Sequence, residues 1–204
     1  MDLKQSNVQK IRTGKKLAQL WIEDKDNQKA KECLLACLNA IEDADDKAKT
    51  QKKIAEFYFE IKDLDHTIEY ATPALLHFTQ NVGGYLKHSD KDPLNAGEVS
   101  YILQYAKFLK GLYAQSIEHG KKAKAWNKTE VSKADNEGSK KTLYRKYVEA
   151  SNYLGQSYML KGDLDLAEET FTLLNDELPS IYAIYAPNEF ASRIFDSNAK
   201  AEMY

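Results

Sequence analysis

The stretch from Val148 to Ile181, VEASNYLGQSYMLKGDLDLAEETFTLLNDELPSI, constrains this chain more than any other. Two helical periods meet at Lys161, Gly162 and Asp163. On the first, Leu154, Gly155 and Tyr158 share a face; on the second, Ala167, Phe171 and Leu174 do. Gly155 and Ala167 are small enough to let two helices approach closely, and Tyr158 and Phe171 fill the space beside them. Pro179 is expected to end the second helix, because it lacks a backbone N–H and its ring crowds the preceding turn. The segment therefore predicts an antiparallel helical hairpin.

As a 34-residue unit the stretch resembles the tetratricopeptide repeat (TPR), whose pattern sets Trp, Leu, Gly, Tyr, Ala, Phe, Ala and Pro at unit positions 4, 7, 8, 11, 20, 24, 27 and 32. Counted from Val148, Leu154, Gly155, Tyr158, Ala167, Phe171 and Pro179 match, while Ser151 and Leu174 depart. The resemblance implies an all-α fold. It would be a right-handed superhelical stack of about four TPR-like hairpins, one domain over residues 1–204, closed by a C-terminal capping helix.

Weaker copies precede this one. A unit near 11–44 carries Leu17, Ala18 and Trp21, then Ala30, Leu34 and Cys37. A unit near 48–81 carries Ile54, Ala55 and Tyr58, then Thr67, Ala71 and Ala74. Pro73 predicts a kink or break near Thr72. Asn81 to Gly97, with Gly83, Gly84, Asp92 and Pro93, reads as an inserted loop. A degenerate unit near 99–127 places Ile102, Tyr105, Ala106 and Leu109 on one helical face, with Ser116, Gly120 and Ala123 following. This register needs a turn about two residues shorter than the family's. A helix running past Trp126, a loop near Gly138 and the unit at 148–181 come next. A segment at 188–203, with Asn188 as N-cap and Phe190, Ile194 and Phe195 on one side, suits the cap.

Composition narrows the function classes. Hydrophobic residues at 43% with 29% charged fit a chain with a packed core rather than a disordered one. The N-terminal sixteen residues are polar and lack a signal-peptide core, so a cytoplasmic protein is expected. The net charge of -2 gives no argument for nucleic acid, and the lysine-rich stretch 121–146 is broken by acids and reads as a solvated face. Cys33 and Cys37 lie four apart on a helix, an arrangement for packing rather than a disulfide. His66, His77, His88 and His119 are scattered. With no HExxH, GxSxG or phosphate-cradling loop, no enzyme, cofactor or metal is expected.

In the resembling family, the first helix of each hairpin lines a concave groove. The groove positions are then Arg12, Lys15, Lys16, Gln19, Ile22 and Glu23 in the first unit and Lys49, Lys52, Lys53, Glu56, Phe59 and Glu60 in the second. Six basic residues would form a wall for an acidic segment or a C-terminal carboxylate. Asn152, Tyr153 and Gln156, with Met159 and Leu160, would meet peptide backbone and apolar groups at the far end. Heat-shock co-chaperones use a similar groove as a carboxylate clamp. Of its five positions only Lys15 matches here; Gln19 is merely similar, and Lys53, Ser100 and Gln104 replace the rest. The expected function is a scaffold or adaptor holding a partner's peptide segment in the groove, away from nucleic acid and membrane. The alternative is a self-associating assembly protein that uses its convex side, the 81–97 insertion, or Tyr182, Tyr185 and Phe190. Peptide-sensing bacterial regulators are also similar, but they carry a DNA-binding domain ahead of the repeats, which the stretch before Ile11 is too short to supply.

Overall fold

The computed structural model describes residues 13–79 other than 15 and 19, and residues 93–185, with the side chains of 93, 137 and 178–185 excepted. Every regular element among them is a helix: α1 over the described residues of 13–23, α2 (Asn27–Ala40), α3 (Ala44–Glu60), α4 (Leu64–Thr79), α5 (Pro93–Leu109), α6 (Tyr113–Lys133), α7 (Glu137–Lys161) and α8 (Leu164–Tyr185). None of these is long and apolar enough to cross a membrane.

One turn is built four times. Lys25, Lys62, Gly111 and Gly162 each take a left-handed conformation, with φ of 61, 64, 72 and 93°. At each, the next residue's N–H reaches back to a carbonyl one turn and a half earlier: Asp26 to Trp21 at 2.8 Å, Asp63 to Tyr58 at 2.9 Å, Leu112 to Lys107 at 2.9 Å and Asp163 to Tyr158 at 2.9 Å. This is the Schellman closure of a helix C-terminus, which satisfies carbonyls the helix leaves open. The residue that donates then starts the following helix, its own carbonyl accepting from Ala30, Thr67, Ser116 and Ala167 respectively. Asp26 and Asp63 add side-chain caps, accepting from the N–H of Lys29 at 3.1 Å and of His66 at 3.2 Å.

The core is a chain of overlapping triples rather than one centre. Ala18, Leu34, Ile54, Phe57 and Tyr58 join α1, α2 and α3. Ala55, Ala71, Leu75, Phe78, Val99 and Leu103 join α3, α4 and α5. Ile117, Leu154, Tyr158 and Ala167 join α6, α7 and α8. Each helix packs on its sequence neighbour, and α3 also touches α5, and α5 touches α7. No comparable backbone approach links α4 to α6 or α6 to α8 among the described residues. The odd-numbered helices therefore form the closer layer.

The structure corrects several expectations. α4 runs through Pro73 unbroken; the Thr72 hydroxyl donates to the Ile68 carbonyl at 2.7 Å in the turn that the ring crowds. α8 likewise continues past Pro179 to Tyr185, since a proline deletes one helical bond and the bonds on either side can hold both arms. Residues 93–97 of the expected loop are the first turn of α5. Gly138 sits inside α7, whose N-cap Asn136 accepts from Ser139 N–H at 2.8 Å. The expected capping helix at 188–203 lies outside the described residues.

The third hairpin is also out of the expected register. Its turn has the standard length; the first helix was misaligned. Leu103, Gln104 and Lys107 occupy the places of Leu154, Gly155 and Tyr158, whereas Tyr105 is half-buried and Leu109 is 47% exposed. A size exchange explains how this pair packs. In the fourth hairpin Gly155 makes room for Phe171, whose ring carbons lie 2.6 Å from where a Cβ would stand. In the third, Gln104 holds the glycine place and Gly120 the phenylalanine place, and a Cβ on Gly120 would meet Gln104 Nε2 at 2.6 Å. The large and small partners have changed sides.

Candidate functional site

The closer layer carries a continuous run of polar and aromatic side chains across α3, α5 and α7. At one end Lys52 donates to Asn95 Oδ1 at 2.6 Å and pairs with Glu98, whose other oxygen takes Lys146 of α7. Glu56 lies 3.6 Å from the Lys52 ammonium. The side chains of Lys52, Glu98 and Lys146 are only 13, 25 and 20% exposed, and with Glu56 beside Lys52 the two ammonium groups face two carboxyl groups. Burial works against ionisation of Glu98, but the bonds from Lys146 and Lys52 outweigh it and hold its carboxyl below the usual range. Burial pushes the Glu56 carboxyl up. In the middle, the Tyr101 hydroxyl donates to Glu149 at 2.7 Å; its burial, then the carboxylate, push the phenol up.

At the other end four half-buried rings meet in sequence. Phe59 stands edge-on to Tyr105 at 5.2 Å, Tyr105 edge-on to Tyr153 at 4.7 Å, and Tyr153 tilts against Phe108 at 5.2 Å. These separations are those of attractive aromatic pairs. Lys62, on the turn before α4, holds its ammonium 5.1 Å from the Phe59 ring and 5.4 Å from Tyr105. Burial, then the neighbouring Tyr105, raise the Tyr153 phenol.

The expected basic wall is reduced by this arrangement. Arg12, Lys15 and Gln19 lie outside the described residues, and Lys16, Lys49 and Lys53 are exposed. Lys52 is not open to a ligand, because Glu98 and Asn95 already take its donors. Sequence alone could not show this: the partner of Lys52 is forty-six residues away on another helix. Ser100 and Gln104 are fully buried, so neither is open to a ligand. At the far end Gln156 Nε2 is 3.4 Å from Asn152 Oδ1, so these two side chains engage each other beside Tyr153. Both the Phe59–Tyr105–Tyr153–Phe108 ladder and the Lys52–Glu98–Lys146 bridge went unpredicted as units. The place of Tyr105 and Phe108 beside Phe59 and Tyr153 follows once the third hairpin is aligned on Gly111.

A second polar group lies in the α5–α6–α7 joint. Gln104 Nε2 donates to the Ala150 carbonyl at 2.8 Å, Ser116 Oγ donates to the Gln104 carbonyl at 3.0 Å and lies 2.9 Å from Ser157 Oγ. Lys107 Nζ meets His119 Nε2 at 2.9 Å, with both residues buried. Two adjacent cations would repel, so this contact holds a neutral imidazole accepting from the ammonium. Burial, then Lys107, push His119 down to about 4. Elsewhere His66 pairs with Asp63 at 2.7 Å and His77 with Asp45 at 2.6 Å. Cys33 and Cys37 lie on α2 and are not joined in a disulfide. Among the described residues, no three His, Cys, Asp or Glu side chains converge as a metal site would require. The chain matches no family model, and no curated protein is similar to it.

Proposed function

We propose that this protein is a TPR-like interaction scaffold, and that the layer formed by α3, α5 and α7 is its groove, holding a segment of a partner protein. The observation that carries the reading is the run of side chains from Lys52 to Tyr153 over α3, α5 and α7, of which α5 touches both others. A close inner layer with outer helices set apart bends a stack toward its inner side, which is how helical repeats make extended concave surfaces. The four equivalent turns support the repeat reading, and helix-borne residues hold such a surface rigid. A photo-crosslinker at Lys53 or Gln156, facing the groove, should capture a partner from lysate. The same group at Glu168 on α8 should not. Equal capture from both faces would remove the groove from consideration.

Self-association is the second reading, and it has its own observation. Leu166 and Leu173 of α8, seven residues apart and so on one side of the helix, are 43 and 46% exposed, an apolar strip on an outer helix. A constant monomer mass by light scattering over a hundredfold range of concentration would set this reading aside.

A further inference from the structure

We propose that the groove takes a proline-rich segment in the extended polyproline II form, seated on the Phe59–Tyr105–Tyr153–Phe108 ladder. This rests on the groove reading above. The first argument is charge. Lys52, Glu98, Lys146 and Glu56 are mutually compensated, and Glu149 already accepts from Tyr101. An acidic segment at this floor would have to expel Glu98 from between two lysines, so the occupant is one of low charge. The second argument is shape. Rings set edge to face across three helices form ridges and clefts rather than a flat apolar patch. Polyproline II segments dock in aromatic-lined grooves of this kind, and their order before binding keeps the entropy cost low. The third argument is hydrogen bonding. A proline-rich chain offers carbonyls and almost no N–H groups. The ladder is bordered by donors, the Lys62 ammonium and the one hydroxyl hydrogen left by the Tyr105–Tyr153 pair, whose hydroxyls bond to each other, while Glu98 and Glu149 already accept from Lys52, Lys146 and Tyr101.

The test is a titration of the whole chain, followed by NMR, with three peptides: a blocked oligoproline of about ten residues, roughly 30 Å long in this form, a Glu/Asp-rich peptide, and a Gly/Ser peptide of equal length. The expected result is saturable movement of Tyr105, Phe108 and Tyr153 resonances with oligoproline alone. Tyr153→Ala should bind about tenfold more weakly, and Tyr105→Phe, which keeps the ring and loses one donor, should bind between that variant and wild type. If Tyr153→Ala fails to fold by circular dichroism, Lys62→Ser replaces it, because Lys62 is exposed and packs only over the rings. If the acidic peptide saturates the same resonances and oligoproline does not, the proline proposal is overturned and the groove reading survives. If oligoproline shifts only residues outside α3, α5 and α7, or no peptide shifts the ladder at millimolar concentration, the proposal falls; in the former case the binding face lies elsewhere.

Discussion

Gly155→Ala isolates the contact on which the fourth hairpin depends. In an ordinary helix interior the change would stabilise by about 1 kcal/mol, since alanine gives up less backbone freedom than glycine. Here the new methyl would stand 2.6 Å from two Phe171 ring carbons and 3.0 Å from a third. Overpacking of this kind costs about 1–3 kcal/mol, and the half-buried ring can yield partly, which favours the middle of that range. The net expectation is a loss of about 1 kcal/mol, or a fall in Tm of about 2–4 °C for a chain of this size. Urea unfolding followed by circular dichroism would measure it. The cycle with Phe171→Leu sharpens the test: with the ring gone, Gly155→Ala should be neutral or stabilising, giving a coupling above about 0.5 kcal/mol. A Gly155→Ala protein more stable than wild type, or a coupling near zero, would refute the claim that glycine is present to admit the ring.

His119 titrates at about 4 when folded against 6.5 unfolded, so the unfolded chain binds the extra proton first. Stability should therefore be whole above pH 6.5 and decline toward pH 4, by on the order of 3 kcal/mol in total; in His119→Gln, which keeps an acceptor for Lys107, urea midpoints should fall less over that window, and equal slopes would exclude the pair as the cause. Lys52→Glu would set a third carboxylate beside Glu56 and Glu98 and should cost about 2 kcal/mol, whereas Lys49→Glu, at an exposed position, should leave the Tm within about 2 °C; equal Tm values for the two would show that the bridge contributes nothing. Asp63→Ala removes the cap of α4 and its bond to His66 and should cost about 1 kcal/mol by thermal unfolding, with no loss counting against the cap.

Legibility followed the chemistry of each residue. The fourth hairpin could be read because Leu154, Gly155, Tyr158 and Ala167 are apolar or glycine and their helical period is plain, even with Ser151, Ser157 and Thr170 buried among them. The third could not, because Gln104 and Lys107 stand in the core and a hydrophobic pattern assigns them to the surface. Their burial is made tolerable by partners on other helices, the Ala150 carbonyl and His119, which no local window contains. The turn glycines Gly111 and Gly162 would have given the better alignment, since a left-handed C-terminal residue is required there whatever the core holds.

The sequence by itself determined the all-helical class and the small-against-large packing of Gly155 and Phe171 in the fourth hairpin, because these depend on residues within about sixteen positions of one another along the chain. Only the tertiary structure decided which side chains share the α3–α5–α7 face, that Lys52 is held by Glu98, and that four rings from three helices form one ladder. Those pairings join residues some forty-five or more positions apart. Charge and aromaticity say what a residue can do, and the packing of distant helices settles what it meets.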